Sequence, residues 1–360
     1  MGQQKSGHIT LLDIARACGF SVSTVSLVLS ESPRSNSVAA ATREHVRAVA
    51  QKLGYHPDAY ARSLRRRSSQ TIGVLAFDLS DPFCIPVIRG IQAGLRPAGY
   101  FPLLMDAQAQ RGLFDEFLSM TLERRADGII VIASWLFNEA NLLANINKNH
   151  VPSVIVGRDL TARGVSSILV DNEAGGAMAV RHLTERGHKK LAIIRGPLEL
   201  WDSEPRWGGI QNAAALAGLK LDPRLILQLP DSADSTFGFE RGLQYAHELL
   251  ASRGAFTAVV AFDDLTALGV IRGLTESGLR IPQDCSVIGF DDVLPAKVAT
   301  PALTTIRQPL IEMGLMAAER LLAEIEHGQK KKDPPLLHKP HPELITRGSS
   351  SVAPAKGPRT

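Results

Sequence analysis

The sequence has no apolar run of about 18 residues, the length that a membrane-spanning helix needs. Its first ten residues, MGQQKSGHIT, contain no apolar signal segment. Neither membrane insertion nor export is expected, and the compartment expected is the cytoplasm. Cysteine is scarce: Cys18, Cys84 and Cys285 are odd in number and far apart. That spacing excludes a disulfide framework and a metal-ligand cluster, and suits a reducing compartment. The motifs HExxH, GxSxG, GxxxxGK[ST] and CxxC are all missing. No catalytic residue, metal or cofactor is therefore expected.

What is present is length and an uneven charge. A chain of 360 residues with 44% hydrophobic content is long enough for two or three domains with sizeable cores. The net charge is only +4, yet residues 1–67 carry ten lysines and arginines against four acids. The remainder is therefore slightly acidic. A basic head on a mildly acidic body is the footprint of a phosphate-contacting module.

That head contains TLLDIARACGFSVSTVSLVLS, Thr10 to Ser30. It reads as two short helices joined by a turn at Cys18-Gly19-Phe20, with Thr10 and Ser21 as their N-caps. Ile14, Ala15, Val25, Val28 and Leu29 fall on faces that can pack together. The second helix is left presenting Ser21, Val22, Ser23, Thr24 and Ser26, as a helix lying in a DNA major groove would. A third helix is expected from near Thr42 to Leu53, with Val46, Val49, Ala50 and Leu53 closing a small core. Its cap is open between Ser37 and Thr42, because Ala39 cannot serve. After Tyr55-His56-Pro57, Asp58 can cap a short helix from Ala59 to Arg66.

The stretch TLLDIARACGFSVSTVSLVLS, followed by TREHVRAVAQKLGYHPDAYARSLRR and later by PELITRGSS, resembles the lactose-repressor (LacI/GalR) family of bacterial transcription regulators across nearly the whole chain. The resemblance implies a homodimeric, nucleoid-associated regulator, more readily a repressor, that binds a pseudo-palindromic operator in double-stranded DNA. It makes Ala59–Arg66 a hinge helix, with Leu64 as a minor-groove wedge and Ala61 allowing two such helices to approach. Thr10, Ser21, Val22, Ser23, Thr24, Ser26 and Leu27 would form the DNA contact. Val22, Ser23 and Leu27 would face base edges; Ser21, Thr24 and Ser26 would face phosphates. Many relatives have Arg where this chain has Leu27. Arg reads guanine through a bidentate fork, which Leu cannot, so thymine methyl groups and shape should count for more here. The Glu31–Ser37 loop is also about three residues longer than in the lactose repressor.

From Thr71 on, short apolar runs alternate with amphipathic helices, the rhythm of a parallel α/β layer. TIGVLAF, FPLLMDA, DGIIVIAS and PSVIVG read as buried strands, with helices at 83–98, 113–125 and 139–147. A second copy begins after Val170-Asp171-Asn172: strands KLAIIRG, LILQLP, TAVVAFD and CSVIGFD, helices 173–186, 207–217, 236–252 and 265–277. LTTIRQP, a helix near 310–326 and PELITRG recross between the halves. The fold expected is an N-terminal all-α helix-turn-helix head with a hinge helix, joined to an α/β core of two doubly wound parallel-sheet lobes, with a ligand between them at strand carboxyl ends. The boundaries expected are 1–57 for the head, 58–70 for the hinge and linker, and 71–350 for the core. Within the core, one lobe takes about 71–171 plus 302–333 and the other about 172–301 plus 336–350. The tail 351–360, polar and rich in proline, should be disordered.

The resemblance identifies the core as periplasmic-binding-protein-like and implies a small effector, a sugar or sugar derivative. Arg206 matches the family's R-x-x-G arginine, and Asp291 its hydroxyl-binding acid. Asp263 replaces a common Asn; it either serves a ligand with more donors or a cationic group, or pairs with Arg206. Phe83 and Trp135 are candidate ring-stacking walls. Trp207 stacks on a ligand or points away. His182 and His188, around a GHKK turn, suit packing better than metal ligation. Two other readings fit less well. An α/β enzyme would need a base and nucleophile in the cleft, and an exported solute-binding protein would not need a basic head.

Overall fold

The computed structural model describes residues 9–29, 33–55, 68–123, 126–132, 139–231, 237–252, 255–327 and 334–354. They form two compact units, divided between Ser69 and Gln70.

The first unit holds α1 (Leu11–Cys18), α2 (Val22–Leu29) and α3 (Ala40–Lys52), with a 3-10 turn at Pro33–Ser37 before α3. A reciprocal capping box starts α1. The Thr10 hydroxyl accepts from the Asp13 amide, and the Asp13 carboxylate accepts from the Thr10 amide at 2.9 Å. Gly19, at φ 75°, ends α1 in the left-handed region that glycine enters without strain. Ser21 Oγ then accepts from the Thr24 amide at 3.1 Å and starts α2. The chain bends by 109° between the two helices, inside the helix-turn-helix range. Ile14, Ala15, Cys18, Val25, Val28, Val46 and Ala50 form the core. Two expectations need correction. The third helix begins at Ala40, two residues early, and its N-cap position falls on Ala39, which makes no side-chain cap bond, rather than on Ser37 or at Thr42. Leu53 is exposed, and Tyr55 packs against the core instead.

The second unit contains two six-stranded sheets. The first sheet is built from β1 (Thr71–Ala76), β2 (Phe101–Asp106), β3 (Gly128–Ile132), β4 (Ser153–Val156) and β5 (Ser166–Ile168). Its helices are α4 (Cys84–Leu95), α5 (Arg111–Glu123) and α6 (Glu139–Asn149). The second sheet has β6 (Leu191–Arg195), β7 (Ile226–Gln228), β8 (Ala258–Val260), β9 (Ser286–Asp291) and β10 (Thr304–Arg307). Between these run α7 (Asn172–Glu185), α8 (Ser203–Leu216), α9 (Phe237–Ala251), α10 (Asp264–Glu276) and α11 (Leu294–Val298). The chain then recrosses. α12 (Leu310–His327) packs on α4, β11 (Leu337–His338) joins the first sheet, and β12 (Glu343–Ile345) joins the second.

Strand orders are β11-β5-β4-β3-β1-β2 and β12-β10-β9-β8-β6-β7, parallel except for β12. Each order reverses once, next to β1 and next to β6. Doubly wound sheets bind ligands outside the strand carboxyl ends at such switch points.

The crossings differ in place from the expectation. Thr304–Arg307 lies in the second sheet and Leu337–His338 in the first, whereas the sequence reading gave 302–333 to the first lobe and 336–350 to the second. FPLLMDA is not buried: β2 is an edge strand, with Phe101, Leu103 and Leu104 exposed. The start of the tail also packs. The Ser351 amide donates to Ser286 Oγ at 3.0 Å, and the Ala353 amide to the Arg186 carbonyl at 2.9 Å.

Close helix packing sets the positions of Asn172 and Arg206. On α7 and α8, a Cβ at Gly176 would overlap the Arg206 carbonyl oxygen, and one at Gly209 the Glu173 carbonyl oxygen. The same reciprocal arrangement recurs at Gly90 with Gly314 and at Gly242 with Gly269. Each pair lets two helix backbones touch where any side chain would hold them apart.

Candidate functional site

On the first unit, α2 exposes Ser21, Val22 and Ser23, while Thr24, Ser26 and Leu27 are half-buried. Ser21 Oγ and Thr24 Oγ1 are 2.9 Å apart, so the cap also orients both hydroxyls. Thr10 Oγ1 donates to Asp13 Oδ2 at 2.6 Å, and these bonds hold the Asp13 carboxyl below its ordinary value. Arg16, Arg47 and Lys52 are exposed on the same small unit. Ala61 and Leu64 lie outside the described residues.

On the second unit, a cleft with about 860 Å³ of empty space, counted out to open solvent, is lined by both lobes. Asp81, Pro82 and Phe83 come from the loop after β1, and Pro197, Leu200 and Asp202 from the loop after β6. Arg206 follows on α8, Asp263 and Asp264 follow β8, Asp291 ends β9, and Gln308 sits on the crossing after β10. The cleft thus occupies the carboxyl ends at both switch points.

Arg206 is the centre of the site. It is only 4% exposed. Its Nε and Nη2 donate to Asn172 Oδ1 at 3.1 and 2.8 Å, and its Nη1 donates to the Phe262 carbonyl. The guanidinium carbon lies 3.5 Å from the Phe290 ring centroid and 4.3 Å from that of Phe262. Asn172 Nδ2 donates in turn to Asp202 Oδ1 at 2.7 Å. The R-x-x-G spacing acquires a physical reason here: Gly209, one turn after Arg206, lets α8 sit against α7, which carries Asn172. Gly209→Ala is expected to push α8 off α7, lowering stability by about 1–3 kcal/mol and weakening ligand response. Chemical denaturation and a ligand titration on the same preparation check both effects.

The carboxylates are held individually. Asp291 has φ 115° and Asp292 φ 61°, both in the region that favours glycine. Ion pairs from Asp292 to Arg307 at 2.8 Å and to Arg347 hold the turn in that strained form. Asp291 Oδ1 accepts from Gln308 Nε2 at 2.6 Å, and burial pushes its carboxyl well up. Burial also pushes Asp81 up to about 6 and Asp264 up to about 7. Asp264 accepts from Thr305 Oγ1 and the Val293 amide. Asp263 Oδ1 caps α10 by accepting from the Thr266 amide at 2.7 Å, rather than pairing with Arg206.

Phe83 is 8% exposed and serves both as cleft wall and as core. Trp207 packs under Arg195, whose guanidinium lies 4.7 Å from its ring, and does not line the cleft. Trp135 lies outside the described residues. Asn172, Asp202 and Gln308 escaped the sequence reading. The Val170-Asp171-Asn172 signal was legible, but as a lobe boundary.

His182 and His188 are buried packing residues. His182 Nε2 is 2.9 Å from Ser350 Oγ, and His188 bonds Thr257 Oγ1 and the Ser351 carbonyl at 2.9 and 3.1 Å. Burial pushes His182 down to about 4, and lowers His188 as well. The unfolded chain therefore takes up protons first, and this contribution to stability is present above about pH 6.5 and lost as pH falls toward 4. Amides of Ser351 and Ala353 should exchange faster at pH 5 than at pH 7 after correction for intrinsic rates, and replacing His182 by Gln should flatten that dependence. No group of three or more potential metal ligands occurs among the described residues, and no described helix is long and apolar enough to cross a membrane.

Comparison with known proteins agrees with both units. The pattern of bacterial regulatory proteins of the lacI family matches residues 10–58, and that of the periplasmic binding protein-like domain matches 180–350. The chain is 34% identical over 346 residues to the HTH-type transcriptional repressor PurR of Escherichia fergusonii, covering 96% of this chain and 98% of that protein. It is 32% identical to PurR of Vibrio atlanticus, over 94% and 98% of the two chains. Among solved structures, the lac repressor dimer bound to operator and the anti-inducer ONPF matches with TM-score 0.81 at 26% identity, over 96% of this chain and all of that one. The complex of transcriptional regulator CelR with cellobiose matches with TM-score 0.69 at 27% identity, over 95% and 99%. These relatives are transcription regulators rather than enzymes, and the chain belongs with them, as a DNA-binding, ligand-responsive transcriptional regulator of the lacI family.

Proposed function

We propose that the chain acts as a cytoplasmic homodimer that represses transcription from a pseudo-palindromic operator and is controlled by a sugar-like effector in the cleft. The observation that carries the reading is the cleft itself: an anchored arginine, hydroxyl-accepting carboxylates and aromatic walls at the switch points of two lobes, on a chain that also carries a helix-turn-helix. Relatives support the ligand class. One is a complex with cellobiose, another a regulator from Enterococcus faecium with bound ribose, 28% identical with TM-score 0.67.

In this reading residues 1–57 read the DNA and 58–70 form the hinge. Val22, Ser23 and Leu27 meet base edges, while Thr10, Ser21, Thr24 and Ser26 meet or orient toward phosphates. Leu64 acts in the minor groove, and Ala61 lets the two hinge helices approach each other. Arg206, Asp291, Asp263 and Phe83 hold the effector. The ligand acts through different affinity for two lobe arrangements, which set the separation of the paired hinges.

Selection from random duplexes tests the DNA reading. Wild type should enrich a twofold-symmetric site, and Leu27→Arg should shift one symmetric pair of positions toward guanine. Enrichment of no symmetric site contradicts the reading, and an unshifted site removes Leu27 from direct readout.

A further inference from the structure

The lining of the cleft carries a charge rule. Five aspartates line it from both lobes, Asp81, Asp202, Asp263, Asp264 and Asp291, of which Asp264 is fully buried with both oxygens on protein donors and contributes negative charge rather than a free acceptor. Arg206 is the only cation among its described lining residues. That arginine is already engaged. Three of its N–H groups point at Asn172 and the Phe262 carbonyl, and its faces are covered by Phe262 and Phe290. Two of its five N–H groups remain for a ligand, one on each terminal nitrogen, beside a wall whose other charged groups are carboxylates. Asn172, its partner, is neutral and is itself tied to Asp202. The excess of carboxylate is therefore not cancelled inside the site.

We infer that the cleft selects its effector by charge: it takes an uncharged or amino-substituted polyhydroxylated ring and rejects the acid and phosphate derivatives of the same ring. Ionised carboxylates only accept hydrogen bonds, so a fitting ligand must bring donors. Ring hydroxyls supply them, and an ammonium supplies three together with opposite charge. A sugar acid or sugar phosphate brings acceptors and negative charge to a place where acceptors and negative charge already predominate. Phe83, Phe237 and Phe262, with Pro82, Pro197 and Pro230, offer apolar walls suited to a ring face. Protonation softens the rule without reversing it. Burial raises all four of Asp81, Asp202, Asp264 and Asp291 toward neutrality, and a protonated carboxyl regains one donor. As pH rises through that range the site becomes more strongly accepting, so discrimination should sharpen.

The inference rests on the cleft being the effector site. Its test uses the full chain and matched sets of probes: glucose, galactose, ribose and cellobiose, with glucosamine, galactosamine, glucuronic and galacturonic acids, and the phosphate esters of glucose and ribose. Each is screened by thermal shift, and those that stabilise are titrated by calorimetry at pH 7.5. At least one neutral or amino member should bind, with its acid or phosphate counterpart at least tenfold weaker. Asp263→Asn, which keeps the shape and the helix-capping oxygen, should narrow that ratio by about threefold or more, because one unit charge leaves the wall. An anionic counterpart that binds as tightly as its neutral partner overturns the rule, as does a ratio unmoved by Asp263→Asn, or no stabilisation by any probe. Arg206→Ala separates the two levels. If it leaves binding of a stabilising probe unchanged, the assignment of the cleft has failed. If it abolishes binding of a preferred anion, only the charge rule has.

Discussion

Arg206→Ala should remove the effector response while leaving operator affinity, measured without ligand, within about threefold of wild type. A guanidinium that is 4% exposed and bonded to Asn172 and the Phe262 carbonyl organises three loops at once: the start of α7, the loop after β6 and the end of β8. Deleting it removes the only cation among the described residues lining the cleft and leaves Asp202 and Asp291 without the positive charge that offsets their burial. Loss of one partner from a buried charged network costs about 3–5 kcal/mol. Ligand affinity should accordingly fall by at least about 100-fold, some 2.7 kcal/mol. Part of the cost falls on stability, so a second variant is needed. Arg206→Lys keeps the charge but lacks the planar fork that puts Nε and Nη2 on Asn172 Oδ1 and Nη1 on the Phe262 carbonyl, and should bind ligand measurably but weakly. Calorimetry reads the ligand, and fluorescence anisotropy with labelled duplex reads the operator. Full ligand affinity in Arg206→Ala would take the arginine out of the site.

Leu64→Ala should do the opposite: weaken operator binding by about 100-fold and leave ligand affinity intact. A side chain wedged between base steps offsets the cost of unstacking by holding a bent duplex against more protein surface, an exchange of a few kcal/mol per step. Alanine is too short to fill the step. Binding should then retain its salt-dependent part, because the lysines and arginines of residues 1–67 remain. The signature is thus a loss of specific affinity with an unchanged salt slope. Leu64 lies outside the described residues, and its assignment rests on the YHPDAYARSL segment. Equal operator affinity for Leu64→Ala would end it.

The fold was legible in the sequence wherever a local signal existed. Hydrophobic runs of four to six residues marked β1, β3, β4, β6 and β9, and Thr10, Gly19 and Ser21 marked the helix ends of the reader by their capping chemistry. The readings failed where structure is decided at a distance. FPLLMDA has the composition of a central strand, and only its neighbours make β2 an edge. β5 and β11 are three and two residues long and carry no periodicity. α3 starts without a capping side chain, so nothing local marks its first turn. The same division holds in the cleft. Arg206 and Asp291 were found through motifs, but Asn172 lies 34 residues from Arg206 and Gln308 lies 17 from Asp291, and only the fold brings each pair together. Of the two readings open for Trp207, the structure gives the one that points away. A helix turns by about 100° per residue, so the neighbour of an inward arginine faces elsewhere, here onto Arg195.

The most direct test of the account is a linkage measurement on one preparation. Operator affinity is measured by anisotropy at fixed salt, with and without a saturating sugar that calorimetry has shown to bind through Arg206. The account predicts a change in operator affinity of at least about tenfold, in whichever direction, and the same factor in sugar affinity when operator is bound. An operator affinity that stays constant while the cleft is filled would contradict it.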